Sequence, residues 1–241
     1  MKKIFFTLLF ILNGLYAQNI LLMTEIFPPF QFEKDGKAMG IGIEIVRSIE
    51  KELGLHDKIK IYPWKRGVKI VDNKKNSALF SMLKTKERSP RYKWVGPITS
   101  MKLVFFKKKG SLITLKTLND AKQVGKIGVA KKVANYEMLK AKGFTNLVPI
   151  KRGVDEQNLK LLAYGRIDLW PTLLKAGIYN AKLMRLLDKV EPIRNVVAFQ
   201  GDMYIAFNKN TDDSIVNRWQ KALDRLKKNH TIDQILQQYN Q

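Results

Sequence analysis

An arginine that follows a predicted buried strand is the group in this sequence best suited to binding a ligand. Arg88 comes shortly after the apolar run Ala78–Leu83, which predicts a strand and carries one hydroxyl, Ser81, as a further candidate ligand contact. A guanidinium at a strand end can bind a carboxylate through two parallel hydrogen bonds. It can equally pair with a surface acid such as Glu87, and the segment alone leaves both alternatives open.

A rigid aromatic loop supplies the second set of candidates. The segment 25–30, Glu-Ile-Phe-Pro-Pro-Phe, follows a short apolar strand, and its two prolines keep it out of a helix. Loops at strand ends commonly hold ligands. Glu25 would be costly to bury without a partner, so we expect it to be solvated, paired with Arg66 or Arg88, or in contact with a ligand amine.

Two residues at the start of the second predicted helix have two interpretations each. Trp64 can line a cleft or fix its helix in the core. Arg66 suits an anionic or aromatic ligand, whereas a solvated surface arginine is the more common finding. We include both among the candidate ligand-binding residues.

The remaining polar patterns do not predict catalysis or a metal site. His56 and His230 are the only histidines, the chain has no cysteine, and neither histidine has a second ligand at metal spacing. The Gly40-Ile41-Gly42 segment lacks the third glycine of a dinucleotide loop. We therefore expect no metal, no cofactor and no catalytic residue.

The amino terminus predicts export. Two lysines precede a short apolar run, and a small residue, Ala17, ends the segment, so residues 1–17 are predicted to be a signal peptide that is cleaved on entry to the periplasm. The formal net charge of +23 favours acidic ligands, anionic lipid surfaces or nucleic acid. We expect no nucleic acid, because the sequence has no recognisable module for it and export argues against it.

The mature chain alternates predicted strands and helices. Apolar residues four positions apart, Ile41 to Leu53, predict an amphipathic helix that ends at Gly54. Later elements include a strand at 103–106, a strand at 167–170 and a helix from Thr172 to Leu187, while Gly96-Pro97 is predicted to form a turn. Alternation of this kind predicts an α/β fold with mainly parallel sheets covered by helices, here in two lobes.

Five segments, in this order along the chain, resemble the bacterial extracellular solute-binding proteins of family 3, the polar amino-acid type that works with ABC transporters. They are the loop at 27–30, Gly40 with its helix, the segment 85–88 before Trp94, the segment 164–168, and the closing strand and helices from Tyr204. The segments at Pro63 and Trp94 further resemble a branch of the family that contains Pro-Trp-Lys-Arg.

The resemblance implies a type II periplasmic-binding-protein fold with the ligand between two lobes. Lobe 1 would comprise residues 18–104 and 200–241, lobe 2 residues 105–199, and two hinge strands would join them. By the same resemblance, Phe27 stacks on the ligand with Phe30 beneath it, and Arg88 binds the ligand carboxylate.

Two departures from the family pattern bear on the ligand. An acid usually follows the second-lobe strand, but the stretch here is Trp170-Pro171-Thr172-Leu173-Leu174, in which we take Thr172 as the candidate contact. The hydroxyl-rich helix start of the family is replaced by a segment that begins with Lys131. These changes favour a more acidic ligand than an ordinary α-amino acid.

The sequence thus predicts a monomeric periplasmic binding protein that captures a small anionic or carboxylate-bearing molecule and presents it to an inner-membrane ABC permease. One alternative is an enzyme on the same scaffold, such as a dehydratase with Glu25 as general acid. Another is a sensory or surface-binding protein that uses its basic exterior on anionic envelope polymers.

Overall fold

A single eight-stranded sheet forms the centre of the protein. The computed structural model describes residues 19–130, 134–150 and 155–239. The sheet has the order β4-β1-β5-β10-β6-β9-β7-β8, and β2 and β3 form a separate hairpin. The strands are β1 Leu21–Thr24, β2 Phe32–Lys34, β3 Lys37–Met39, β4 Ile59–Ile61, β5 Ser77–Leu83, β6 Tyr92–Lys108, β7 Ile127–Ala130, β8 Leu147–Ile150, β9 Leu169–Leu173 and β10 Val190–Asn208.

Helices cover both faces of this sheet. They are α1 Ile41–Leu53, α2 Trp64–Asn73, α3 Leu118–Ala121, α4 Ala134–Ala141, α5 Asp155–Ala163, α6 Leu174–Leu183, α7 Asp213–Lys228 and α8 Thr231–Gln238. The predicted helix α1 is confirmed, including its end at Gly54, which adopts the left-handed conformation at φ 69°. Among the described residues, no helix is both long enough and apolar enough to cross a membrane.

Two long strands join two lobes, which confirms the predicted fold class. In lobe 1, β1 pairs in parallel with β4 and β5. In lobe 2, β7 pairs in parallel with β8 and β9. Strands β6 and β10, of 17 and 19 residues, run antiparallel to each other through both lobes. They are the only described strands shared by the two lobes.

Each lobe has a buried cluster on either face of the sheet. In lobe 1, the larger cluster contains Phe80 from β5, Phe207 from β10 and Trp219 from α7, and a smaller one surrounds Leu79 on the opposite face. In lobe 2, one cluster surrounds Phe105 and the other surrounds Phe106. The alternation of neighbouring residues between faces is the expected side-chain period of a strand that is buried on both sides.

Two local predictions were wrong. The helix expected from Thr172 begins at Leu174, because β9 continues through Leu173. Gly96-Pro97 lies inside β6 rather than in a turn, where the pairing with β10 shifts register and the Gly96 N–H donates to Gln220 Oε1 at 2.8 Å.

Candidate functional site

The carboxyl ends of strands from the two lobes meet at the middle of β6. Leu83 at the end of β5 lies opposite Met203 in β10, which in turn lies opposite Thr99 in β6. Leu173 at the end of β9 lies opposite Leu103, four residues further along β6. Ligands of open α/β sheets bind beyond the carboxyl ends of strands, so this is the candidate site.

A cavity of about 320 Å³ lies at this junction. Its lining brings together the loop after β1, the middle of β6, the end of β9, the first part of α6 and one residue of β10: Phe30, Ser100, Met101, Lys102, Leu173, Leu174, Lys175, Ile178 and Arg194. Three of these residues are cations and none of them is an acid. Burial lowers the pKa of Lys175, because desolvation disfavours its charged form.

The aromatic loop is held in one conformation. The rings of Phe27 and Phe30 stack with their centres 5.2 Å apart, and Phe30 is fully buried while Phe27 is half-buried. Gly40 has φ +115°, and a Cβ at that position would lie 2.6 Å from the Phe30 carbonyl oxygen. The close approach of Gly40 thus fixes Phe30 beneath Phe27.

The guanidinium of Arg88 is held by neutral groups. Its Nη1 donates to the Leu83 carbonyl at 3.4 Å, and its carbon lies 5.5 Å from the centre of the Trp64 ring. No described carboxylate forms an ion pair with it, so the alternative of a bond to Glu87 is not observed. Trp64 also packs against the smaller lobe 1 cluster, as one of its two interpretations predicts, and it is not among the residues that line the cavity.

Glu25 is a half-buried carboxylate beside the aromatic loop. Desolvation by burial raises its pKa above the ordinary value of 4.5. Among the described residues it has no ion-pair partner, and Arg66, one of the expected partners, lies instead over the Tyr62 ring at 4.5 Å. Of the alternatives for Glu25, contact with solvent or with a ligand cation remains.

Replacing Glu25 with glutamine is expected to stabilise the ligand-free protein at pH 7 and to have little effect near pH 4. The raised pKa means that the folded state binds this proton more tightly than the unfolded state. The stabilisation that protonated Glu25 contributes to the folded state is therefore complete below the ordinary pKa of 4.5 and is lost as the pH rises through the folded-state pKa. Thermal unfolding of both proteins between pH 4 and 7.5 measures the difference. Glu33→Gln, at an exposed carboxylate, is the control, and a pH-independent difference for Glu25→Gln would contradict the prediction.

Three other candidate residues differ in their surroundings. Ser81 has φ 61°, and its hydroxyl accepts a hydrogen bond from Gln31 Nε2, which links β5 to the aromatic loop. Thr172 is only 2% exposed, and its methyl group faces Gly177 of α6, so the structure places it in the core rather than among the cavity-lining residues. Lys131 lies outside the described residues.

Eight of the nine cavity residues were not singled out from the sequence, and four of them bear on the ligand or on the predicted elements. Leu173 was overlooked in favour of its neighbour Thr172, because the end of β9 was misplaced and adjacent strand residues face opposite sides. Lys102, Lys175 and Arg194 come from β6, α6 and β10. Lys102 and Arg194 are basic residues in the two strands that join the lobes, and this position was the signal that the sequence offered for them.

The fold and the cleft define a two-lobed protein that binds a small molecule between its lobes. Residues 20–241 match the family described as bacterial extracellular solute-binding proteins, family 3. The chain belongs to this family, which is made up of solute-binding proteins rather than enzymes.

Individual relatives are distant. The L-cystine-binding protein TcyJ of Escherichia coli (strain K12) is 24% identical, over 95% of this chain and 85% of the relative. The probable amino-acid ABC transporter extracellular-binding protein ytmK of Bacillus subtilis has a TM-score of 0.77 at 19% identity, with 92% of this chain and 97% of that chain covered. An ancestral cationic amino acid solute-binding protein has a TM-score of 0.78 at 19% identity, with 92% and 95% covered. At these identities the two structures support the fold.

Proposed function

We propose that the protein captures a small carboxylate-bearing solute by closing its two lobes around it. The observation that supports this most strongly is the charge of the cavity, whose lining includes Lys102 and Arg194 but no acid. Arg88 lies outside that lining, at the end of β5 in lobe 1, and lacks a described carboxylate partner. Closure would be a hinge motion of β6 and β10, driven by contacts that the ligand makes with both lobes.

We further propose individual roles for the residues around the cleft. Arg88 binds the ligand carboxylate and Phe27 stacks on the ligand, with Phe30 as its support. Glu25 receives a positively charged group where the ligand has one. Lys131, at the segment that precedes α4, adds a cation from lobe 2.

The proposed setting is the periplasm. Removal of residues 1–17 as a signal peptide would release a monomer, which would deliver its solute to an ABC-type importer in the inner membrane. The proposed lobe boundaries are 18–104 plus 200–241 for lobe 1, and 105–199 for lobe 2. The TcyJ relative, named for binding L-cystine, makes an amino acid or a related acid the first class to test.

A thermal-shift screen tests this function. Dicarboxylates, amino acids, aromatic acids and small peptides are offered to the protein, and we expect at least one carboxylate to raise the melting temperature. The matching amide or ester, which lacks the charge, should have a much smaller effect. Small-angle scattering with the same compound should show a smaller radius of gyration. Stabilisation by neutral or cationic compounds alone would contradict the proposal.

A further inference from the structure

A basic and apolar surface lies at the end of lobe 2 opposite the cleft. Strand β9 enters the cleft at Leu173, and its other end, Leu169, lies opposite Lys107 of β6. Residues that follow Lys107 are therefore at the far end of the lobe. We call the surface there the end patch, and its members are Lys108, Lys109, Leu112, Tyr164, Leu187 and Lys189.

Direct contacts join the three segments of the end patch. The Lys109 N–H donates to the Lys189 carbonyl at 2.9 Å, which connects the turn after β6 to the turn before β10. The Lys189 ammonium lies 5.2 Å from the centre of the Tyr164 ring, which connects the turn after α5. The end patch is thus one continuous surface rather than three separate exposed loops.

The most exposed apolar residue of the end patch sits on a fixed loop. Leu112 is 98% exposed. The Lys107 ammonium donates to the carbonyls of Ser111 and Ile113, both at 3.0 Å, and pairs with Glu191 at 3.3 Å. These bonds hold the backbone on both sides of Leu112, so the loop presents this side chain to solvent.

Two further large side chains accompany Leu112. Tyr164 is 64% exposed and Leu187 is 42% exposed. Scattered exposed apolar residues are ordinary, but these three lie on segments that are bonded to one another through Lys109 and Lys189, and Leu112 lies on a fixed loop. Such a group indicates a contact surface.

The charge around these side chains is mainly positive, which favours an anionic partner. Lys108, Lys109 and Lys189 all belong to the end patch, and Asp188 is the exposed acid beside them. The carboxylate of Glu191 is paired with Lys107. Apolar and aromatic side chains within a basic ring match the boundary between acyl chains and anionic headgroups of a bilayer.

We propose that the end patch attaches the protein reversibly to an anionic phospholipid bilayer. Leu112 enters the boundary below the headgroups, Tyr164 and Leu187 lie at the headgroup level, and the lysines face lipid phosphates. Because the end patch is opposite the cleft, the attached protein keeps its ligand site open to the surrounding solution.

Vesicle binding tests the proposal at a single position. The sequence has no cysteine, so Leu112→Cys allows one environment-sensitive fluorophore to be attached there. Vesicles of phosphatidylglycerol and phosphatidylcholine should shift its emission to shorter wavelength, and vesicles of phosphatidylcholine alone should not. The same label at Lys65→Cys, on the exposed surface of α2 in lobe 1, should show no shift with either. A shift at both positions, or at neither, would overturn the proposal.

Co-sedimentation of the unlabelled protein with the mixed vesicles gives the size of the effect. We expect Leu112→Ser to lower the partition coefficient about tenfold, since one leucine leaves the apolar layer.

The double variant Lys108→Glu/Lys109→Glu should lose most binding, whereas Lys65→Glu/Lys69→Glu, with the same change of net charge, should lose much less. Equal losses for the two charge variants would assign binding to the overall charge and overturn the proposal. Absence of vesicle binding at low salt would overturn it in favour of a protein partner. Every variant retains residues 1–18, so any contribution from that segment cancels.

Discussion

Arg88→Ala is expected to weaken binding of the carboxylate ligand by about 30- to 700-fold, which corresponds to roughly 2–4 kcal/mol. The guanidinium donates to the carbonyl of the last residue of β5, and its described contacts are this carbonyl and one aromatic ring. A ligand carboxylate would therefore not have to displace an existing ion pair. Isothermal titration and the ligand-dependent rise in melting temperature measure the loss.

The ligand-free stability of the same variant should change little. The bond from Arg88 to the Leu83 carbonyl is long, at 3.4 Å, and a weak bond contributes little to folding. Arg91→Ala is the matched control, because it removes the 2.8 Å ion pair with Asp72 and should leave ligand binding intact. Arg88→Lys retains the charge but not the two-pronged geometry, so its affinity should lie between those of the wild type and Arg88→Ala. Undiminished ligand stabilisation of Arg88→Ala would refute the assigned role.

Trp219→Ala is expected to lower the free energy of unfolding by about 3–5 kcal/mol. The indole is 1% exposed, and its ring packs edge-on against Phe207 with centres 5.4 Å apart. Its removal leaves a cavity in the larger lobe 1 cluster, between α7 and the sheet. Urea denaturation followed by far-UV circular dichroism measures the change.

Two further variants serve as controls for this stability prediction. Trp219→Phe retains most of the ring volume and removes an indole N–H that has no described acceptor, so its loss should be well below that of Trp219→Ala. Leu112→Ala, at a residue that is 98% exposed, should leave the unfolding free energy unchanged. A loss below about 1 kcal/mol for Trp219→Ala would contradict the packing described for lobe 1.

The sequence was sufficient for the elements whose apolar residues repeat regularly. Helix α1 was predicted from its four-residue spacing and from Gly54, and the α/β class followed from the alternation of elements. The full length of strand β10 was not predicted, because polar residues such as Gln200 and Asp202 interrupt its apolar pattern. These residues are exposed where β10 passes between the lobes, so they need not alternate with core residues.

The sequence offered candidate site residues where a single segment carries a pattern. Phe27 and Arg88 belong to such local patterns and stay predictions, whereas the basic wall of the cavity is assembled from β6, α6 and β10 and exists only in the folded chain. Thr172 shows that a small error matters, because the end of β9 was misplaced by three residues and the core residue Thr172 was chosen instead of the cavity residue Leu173. Gly96-Pro97 is the opposite case: its local sequence predicts a turn, but the segment lies in β6, where it is held by the pairing of β6 with β10.

Under the proposed export of the chain from its amino terminus, the shared strands also determine the order in which its parts can fold. Both lobe 2 clusters consist of buried residues between Leu103 and Ala198, so they can form as soon as that continuous segment has emerged. The larger lobe 1 cluster includes Phe207, Trp219 and Ile235, so it waits for the last part of the chain. Residues near the amino terminus of the mature chain would thus be among the last to be packed, and during that interval Phe30, Ile41 and Phe80 would be accessible to chaperones and proteases.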